Sequence, residues 1–144
     1  MAKAGSLAAV VVLSGCVITL FLRRELFGTG PATIALQIGA FVLMIWARLT
    51  FGVRSFHATA NATRGGLVTT GPYRYIRHPI YAAVLLFVWA GVIAHPVVVA
   101  ALIAIVVTGV SIVRMLLEER ELVQMYPEYR DYSARTMRVI PRVV

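Results

Sequence analysis

The sequence predicts an all-α, polytopic membrane protein, and two observations carry this prediction. The 144 residues are 60% hydrophobic and only 14% charged, whereas a soluble domain usually carries about 25% charged residues. The apolar residues are also gathered into runs long enough to cross the roughly 30 Å hydrocarbon core of a bilayer as helices. We therefore expect a single membrane domain over residues 1–144 with about four transmembrane helices.

The positions of the charged residues and prolines define the four spans. Runs with almost no charge occupy residues 6–22 and 31–53, and the second run contains only Arg48. The apolar run from residue 79 to residue 113 would form a helix of about 52 Å, which is too long for one span. Because Pro96 disfavours helix continuation, we expect a helical hairpin here, with spans at 79–94 and 96–113.

The lysines and arginines predict the orientation, since they are enriched in cytoplasmic loops. With four spans, the N-terminus, the loop at 54–77 and the C-terminal tail share one side, which holds most of the positive charge. The opposite side holds only Arg23 and Arg24. Both termini are therefore expected to be cytoplasmic, in an inner or plasma membrane. Contact with anionic membrane lipids then explains the net charge of +8, and no nucleic-acid partner is expected.

The C-terminal tail is predicted to be helical. The fourth helix should continue from Arg114 into the aqueous phase as far as Tyr126, where Pro127 ends it. A short amphipathic helix at about 128–135 should follow.

Two polar clusters should meet where the hairpin enters and leaves the membrane. The residues concerned are Arg77, His78 and Tyr81 on one side and Arg114, Glu118 and Glu121 on the other. Helical spacing places the last three on one face, whereas Glu119 and Arg120 are expected to face headgroups or solvent. Cations beside a helix N-terminus, opposite carboxylates, suit a zwitterionic ligand. The alternative, that these side chains are only interfacial anchors, stays open.

These elements resemble the signature of a known family. The chain has LVTTGPYRYIRHPIY at 67–81, Glu118-Glu119 with Leu122, tyrosines at 126, 129 and 132, and then Arg135 and Pro141. This order resembles the isoprenylcysteine carboxyl methyltransferase and phospholipid methyltransferase superfamily of integral membrane enzymes. The resemblance covers about residues 67–141, and Ala83 stands where the family has a glycine, which is expected to reshape the pocket slightly.

The resemblance implies S-adenosylmethionine as the cofactor, held by the half of the chain at 67–141. The cofactor-binding residues it implies are Arg77, His78, Tyr81, Glu118, Glu119 and Leu122. Chemically, either Arg77 or the helix N-terminus can hold the cofactor's carboxylate. A lipophilic or prenylated acceptor would enter from the bilayer. We assign catalytic roles to Arg114 and Arg135, which can hold an acceptor carboxylate, and to Glu118, which with Glu121 can assist proton removal.

Several functions remain open from the sequence. The favoured one is a methyltransferase acting on a prenylcysteine-like carboxylate. The alternatives are N-methylation of a phospholipid amine, NADPH-dependent reduction of the steroid-reductase type, and a non-catalytic membrane protein. No metal site is expected, because Cys16 is the only cysteine and His57 and His95 fall on opposite sides of the membrane.

Overall fold

The computed structural model of the chain describes residues 2–52 and 66–140, with side chains from residue 7 onward. Within these ranges the protein consists of helices and contains no β-strand. The elements are α1 (Ala2–Leu22), α2 (Pro31–Phe51), a short 3-10 helix (Gly71–Arg74), α3 (Pro79–Ala94), α4 (Val98–Met125) and α5 (Tyr129–Arg135). The predicted all-α class is confirmed.

The helix boundaries lie where the sequence places proline and glycine. Both α2 and α3 begin with proline, which has no N–H to leave unpaired and a φ already suited to a helix. His95 and Pro96 separate α3 from α4, and α4 begins at Val98, two residues beyond the predicted start. Residue 53, the predicted end of the second span, lies outside the described residues together with the following loop as far as residue 65 and with Pro141.

Two of the helices, α2 and α4, are long and apolar enough to cross a membrane by length and composition. The apolar part of α1, Leu7–Leu22, and the whole of α3 are shorter apolar helices. Large apolar side chains lie on the outside of these helices, with Leu49 77% and Val98 75% exposed. An apolar outer surface is characteristic of a protein that faces lipid, which agrees with a membrane protein.

The helices pack as two pairs joined by the hairpin. α3 lies mainly against α2, α1 lies against α4, and α3 contacts α4. Small residues in α4 are completely buried where its neighbours approach, because small side chains let helix backbones come close together. The central cluster consists of Leu20, Leu26, Val88, Val92, Ala100, Ala104 and Val107.

A buried glutamine fixes the connection between α1 and α2. The Gln37 Oε1 atom accepts a hydrogen bond from the Gly28 N–H at 2.8 Å. Its Nε2 donates to the carbonyls of Leu26 at 2.8 Å and Phe87 at 3.2 Å. A satisfied buried amide of this kind ties the α1–α2 connection to both α2 and α3.

Gly91 in α3 allows this connection to lie directly against the helix. A Cβ atom built at Gly91 would lie 2.6 Å from the Leu26 carbonyl oxygen and 2.9 Å from that of Glu25. Because both atoms belong to backbone, we expect Gly91→Ala to lower the free energy of unfolding by about 1–3 kcal/mol. Denaturant unfolding in detergent measures this change.

The matched control is Gly109→Ala in α4, where an added Cβ meets nothing within 4 Å. Alanine there should preserve stability or raise it by about 0.5–1 kcal/mol. Equal stability of the Gly91→Ala and Gly109→Ala proteins would contradict the close approach at Gly91.

Candidate active site

The segment at the N-terminal end of α3 is joined to the C-terminal tail by backbone hydrogen bonds. Ile76 and Met137 form an isolated parallel bridge. The Arg77 N–H donates to the Met137 carbonyl at 2.7 Å, and the Met137 N–H donates to the Tyr75 carbonyl at 3.1 Å. The His78 N–H donates to the carbonyl of Arg138 at 3.0 Å. The tail after α5 is therefore part of the same site as the RHPIY sequence.

The centre of the site is the carboxylate of Glu119 on α4. It accepts hydrogen bonds from Arg77 Nε at 3.0 Å and from Arg138 Nε at 3.1 Å, and His78 Nε2 lies 3.3 Å away. Only 13% of its side chain is exposed. The expectation that Glu119 faces headgroups or solvent is wrong, because the tail folds back over this face of α4. Arg120 is exposed, as expected.

Arg77 is held by the tail as well as by Glu119. Its Nη1 donates to the carbonyls of Ser133, at 2.7 Å, and Thr136. A second hydrogen bond, from the buried Tyr132 hydroxyl to the Tyr73 carbonyl at 2.7 Å, fixes α5 to the segment before α3. These contacts hold the Arg77 guanidinium in one orientation, with its side chain only 10% exposed.

Glu118 belongs to a second group that adjoins the first. The Tyr81 hydroxyl donates to Glu118 Oε1 at 2.5 Å, and Arg114 Nη2 lies 3.5 Å from the same oxygen. The Arg114 guanidinium carbon lies 6.0 Å from the centroid of the Tyr81 ring. His78 lies between the two carboxylates, with Nδ1 3.8 Å from Glu118 Oε2. The predicted meeting of the two polar clusters is therefore present for His78, Tyr81, Arg114 and Glu118. Arg77 instead pairs with Glu119, and Glu121 makes no hydrogen bond or ion pair with any described side chain.

Three buried polar atoms at or near these groups have no hydrogen-bond partner among the described residues. They are Ser111 Oγ, Arg114 Nε and the Tyr129 hydroxyl. A buried donor without a partner is costly, so such atoms mark positions where a ligand or water completes the site. Together with two carboxylates and three arginines, they fit a cofactor that carries both positive and negative groups.

Charge keeps Glu119 ionised. This residue lies beyond the uncharged part of α4 at 98–113. Burial acts to raise its pKa, but the hydrogen bonds from His78 and Arg77 outweigh burial and lower the pKa to about 2. The opposite holds for the phenol of Tyr132, where burial raises the pKa to about 12 against the opposing charge of Arg77. At neutral pH the site therefore combines an anionic carboxylate with a neutral phenol.

The remaining predicted residues make no side-chain hydrogen bond or ion pair with Glu118 or Glu119 in the described part of the chain. Leu122 and Glu121 are half-buried on α4. Arg135 is exposed, its Nε donates to the Asp131 carbonyl at 3.1 Å, and it lies outside the cluster around Glu119. Ala83 is buried, with 1% exposure.

Sequence reasoning missed Arg138 and the position of Tyr129. Arg138 belongs to no motif recognised in the sequence, and Tyr129 appeared there only as one of several spaced tyrosines. Their contribution depends on the pairing of the tail with residues about sixty positions earlier, for which helical periodicity gives no signal.

Two relatives of this chain are named for metal resistance. The cobalt-zinc-cadmium resistance protein CzcN of Cupriavidus metallidurans is 30% identical over 140 residues, covering 88% of this chain and 61% of CzcN. The nickel-cobalt-cadmium resistance protein NccN of Alcaligenes xylosoxydans xylosoxydans is 33% identical over 78 residues, covering 54% and 37% of the two chains. Within residues 7–52 and 66–140, no three His, Cys, Asp or Glu side chains form a group that could hold a metal ion.

A third relative is named for its reaction. Methanethiol S-methyltransferase 1 of Bradyrhizobium diazoefficiens is 39% identical over 72 residues, covering 48% of this chain and 24% of the relative. The chain thus spans at most about three fifths of the length of these relatives, and no solved structure matches it. Residues 26–129, more than half of the chain, match the model of the phospholipid methyltransferase family. The chain therefore belongs to the phospholipid methyltransferase family, in agreement with the resemblance carried by its RHPIY sequence and paired glutamates.

Proposed function

We propose that this protein is a membrane-embedded, S-adenosylmethionine-dependent methyltransferase that acts on a lipophilic acceptor. One observation carries the proposal: in a member of this family, His78 lies between Glu118 and Glu119, at the end of two apolar helices. Family membership also favours methyl transfer over the NADPH-dependent reduction considered from the sequence.

The proposal includes four membrane spans with both termini in the cytoplasm. α2 and α4 have the length and composition of spans, and the shorter α1 and α3 pack against them. The site then lies at the cytoplasmic membrane surface. A water-soluble cofactor can reach it from the cytoplasm, while a lipophilic acceptor reaches it from the bilayer.

The donor set suits the proposed cofactor. When bound, S-adenosylmethionine supplies a methyl group on a positively charged sulfur. The Glu118 carboxylate, oriented by the Tyr81 hydroxyl, can stabilise positive charge near that sulfur. His78 and Glu119 can hold a polar end of the cofactor, and Arg77 positions Glu119. Methyl transfer is an in-line displacement, so positioning of this kind is the main task of the protein.

A prenylcysteine-like carboxylate is the acceptor that we propose first. A carboxylate needs no proton removal before methylation, only groups that hold its charge. The Nε of Arg114 is buried and has no partner among the described residues, so it can donate to such a group. Arg135 would assist from the exposed rim of the site.

N-methylation of a phospholipid amine is the second candidate, and the family description favours it. An amine acceptor must lose a proton, and Glu118 is the carboxylate closest to the apolar helices that can receive one, with Glu121 one turn further along. A thiol acceptor, as in the name of the methanethiol relative, makes the same demand on Glu118.

Cofactor binding tests the proposal most directly. Calorimetric titration of the detergent-purified protein with S-adenosylhomocysteine should show saturable binding, and His78→Ala should weaken it about tenfold or more, since hydrogen bonds to charged groups contribute about 1.5–3 kcal/mol. The matched control is His95→Ala at the other end of α3, where the His95 ring donates to the Phe27 carbonyl; it should bind normally.

Absence of binding in folded wild-type protein would contradict the proposal. A titration with NADPH would then test the reductase alternative. Binding of neither cofactor would favour the non-catalytic alternative, in which the cluster serves only as an interfacial anchor.

A further inference from the structure

Arg77 is poorly placed to hold the carboxylate of a cofactor, although the sequence suggested it for that role. Its Nε is occupied by Glu119, and its Nη1 by the carbonyls of Ser133 and Thr136. These contacts join α3, α4 and the tail. Arg77 is therefore a positioning residue, and the site needs another cation to receive an anionic group.

Arg138 has more free donors than Arg77, in which Nη2 is the one side-chain nitrogen without a hydrogen bond to a described residue. Its Nε hydrogen-bonds both oxygens of Glu119, at 3.2 Å and 3.1 Å. Its two Nη atoms make no hydrogen bond to any residue that the structure describes, and 40% of its side chain is exposed. The planar guanidinium is therefore fixed through its Nε, while its two Nη atoms are free to donate. This arrangement suits binding of a carboxylate or phosphate through two parallel hydrogen bonds.

The charge of the whole cluster supports an anionic ligand. Among the described residues, Arg77, Arg114 and Arg138 pair with only two carboxylates, those of Glu118 and Glu119. One positive charge is thus left without a partner within the cluster. A ligand that brings one negative group to Arg138 would balance it.

The Tyr129 hydroxyl gives a second, independent indication of a ligand. Tyr129 is only 2% exposed, and its hydroxyl has no hydrogen-bond partner among the described residues. Burial raises the pKa of this phenol, so the hydroxyl is neutral at pH 7. The charge of Glu119 also raises this pKa, whereas the charges of Arg77 and Arg138 lower it. A buried neutral hydroxyl that lacks an acceptor among the described residues is a donor available to a bound anion.

We propose that Arg138, together with the Tyr129 hydroxyl, binds the anionic oxygen group of a ligand at this site. The α-carboxylate of the cofactor is one source of that group and the phosphate of a lipid headgroup is the other. The first of these two alternatives, the cofactor arm of the proposal, rests on the proposed function; the second is the headgroup arm. The inference assigns a direct binding role to Arg138, whereas the sequence analysis assigned a binding role at this end of the tail to Arg135.

A pair of cofactor analogues tests the cofactor arm. S-adenosylhomocysteine and its decarboxylated form, which has no carboxylate, would be titrated calorimetrically into wild-type, Arg138→Gln and Tyr129→Phe proteins. Arg138→Gln should weaken S-adenosylhomocysteine binding about 10- to 100-fold and leave binding of the decarboxylated form unchanged. Tyr129→Phe should show the same selectivity with a smaller loss, and the exposed Arg130→Gln should bind both normally.

Dihexanoyl phosphatidylglycerol, a soluble anionic lipid, tests the headgroup arm in the same proteins. Loss of lipid binding in Arg138→Gln, with S-adenosylhomocysteine binding retained, would support the inference with the headgroup as the source. Equal weakening of both cofactor analogues would overturn it in favour of a merely structural role. Unchanged binding of all three ligands would also overturn it. A wild-type protein that binds lipid but no cofactor would refute the proposed function without affecting this arm.

Discussion

Glu119→Gln is expected to lower the free energy of unfolding by about 3 kcal/mol, the largest stability change at this site. The substitution keeps the size of the side chain and removes the negative charge shared by Arg77, Arg138 and His78. Removing one partner of a largely buried ion pair costs about 3–5 kcal/mol, because the other charge stays buried without compensation. Denaturant unfolding measures the change, with Glu128→Gln as the control, since Glu128 is exposed and makes no capping hydrogen bond.

The difference in stability between wild type and Glu119→Gln should depend on pH. The pKa of Glu119 falls from 4.5 to about 2 in the folded protein. A lowered folded pKa means that the stabilisation is fully present above about pH 4.5 and is lost as the pH falls towards 2. The stability difference between wild type and Glu119→Gln should thus be constant from pH 7 to 5 and shrink between pH 4.5 and 3. A difference independent of pH over this range would contradict the ion-pair geometry.

The helices could be predicted from the sequence because their causes are local. Uncharged runs, the prolines at 31, 79 and 96, and the return of charge at Arg114 fix where the helices begin, break and leave the apolar region. Helical spacing also placed Arg114 and Glu118 correctly on one face of α4, because residues four positions apart share a face, and the predicted hairpin brings that face beside Tyr81.

The surroundings of Glu119 could not be predicted in the same way, although the family resemblance had assigned this residue to the cofactor site. Helical geometry states only that Glu119 points away from the face shared by Arg114 and Glu118, and the sequence offered lipid headgroups or solvent as its surroundings. The structure instead covers that second face with the tail, through the pairing of Ile76 with Met137. This pairing is non-local and involves single residues rather than a repeated pattern. Both faces of α4 thus serve the site, and Arg138 enters it from outside every recognised motif.

The division of the site into two groups has a consequence for the choice of acceptor. Glu119, Arg77 and Arg138 lie on the side of the tail. Tyr81, Arg114 and Glu118 lie on the side of the apolar helices, near the buried Ser111. A cofactor whose polar end is held by the first group would bring its sulfonium to Glu118 and Tyr81, where a molecule arriving from the bilayer can meet it. Under the proposed function, we expect Arg114 and Glu118 to determine the acceptor, since Arg114 suits a carboxylate and Glu118 suits a group that must lose a proton.

Arg114→Gln is expected to raise the KM for a prenylcysteine analogue with a free carboxylate about 10- to 100-fold while changing kcat little. The guanidinium would hold the negative charge of the acceptor in the ground state, and this charge disappears as the methyl group is transferred. An interaction that is not strengthened in the transition state affects KM rather than kcat. Steady-state methyl transfer at saturating S-adenosylmethionine measures the two constants. Arg120→Gln is the matched control, since Arg120 is exposed on the same helix.

Glu118→Gln tests for an amine or thiol acceptor, as Arg114→Gln tests for a carboxylate acceptor. For a carboxylate acceptor no proton is removed, so kcat should fall less than about tenfold once the cofactor is saturating. For an amine or thiol acceptor, Glu118 would act as the proton acceptor, and kcat should fall by about 10²- to 10⁴-fold. A protein in which Arg114→Gln leaves the KM unchanged and Glu118→Gln abolishes turnover would therefore contradict the carboxylate proposal. Because Tyr81 donates to Glu118 at 2.5 Å, Tyr81→Phe should then shift the pH profile of turnover in the same enzyme, which a purely structural tyrosine would not do.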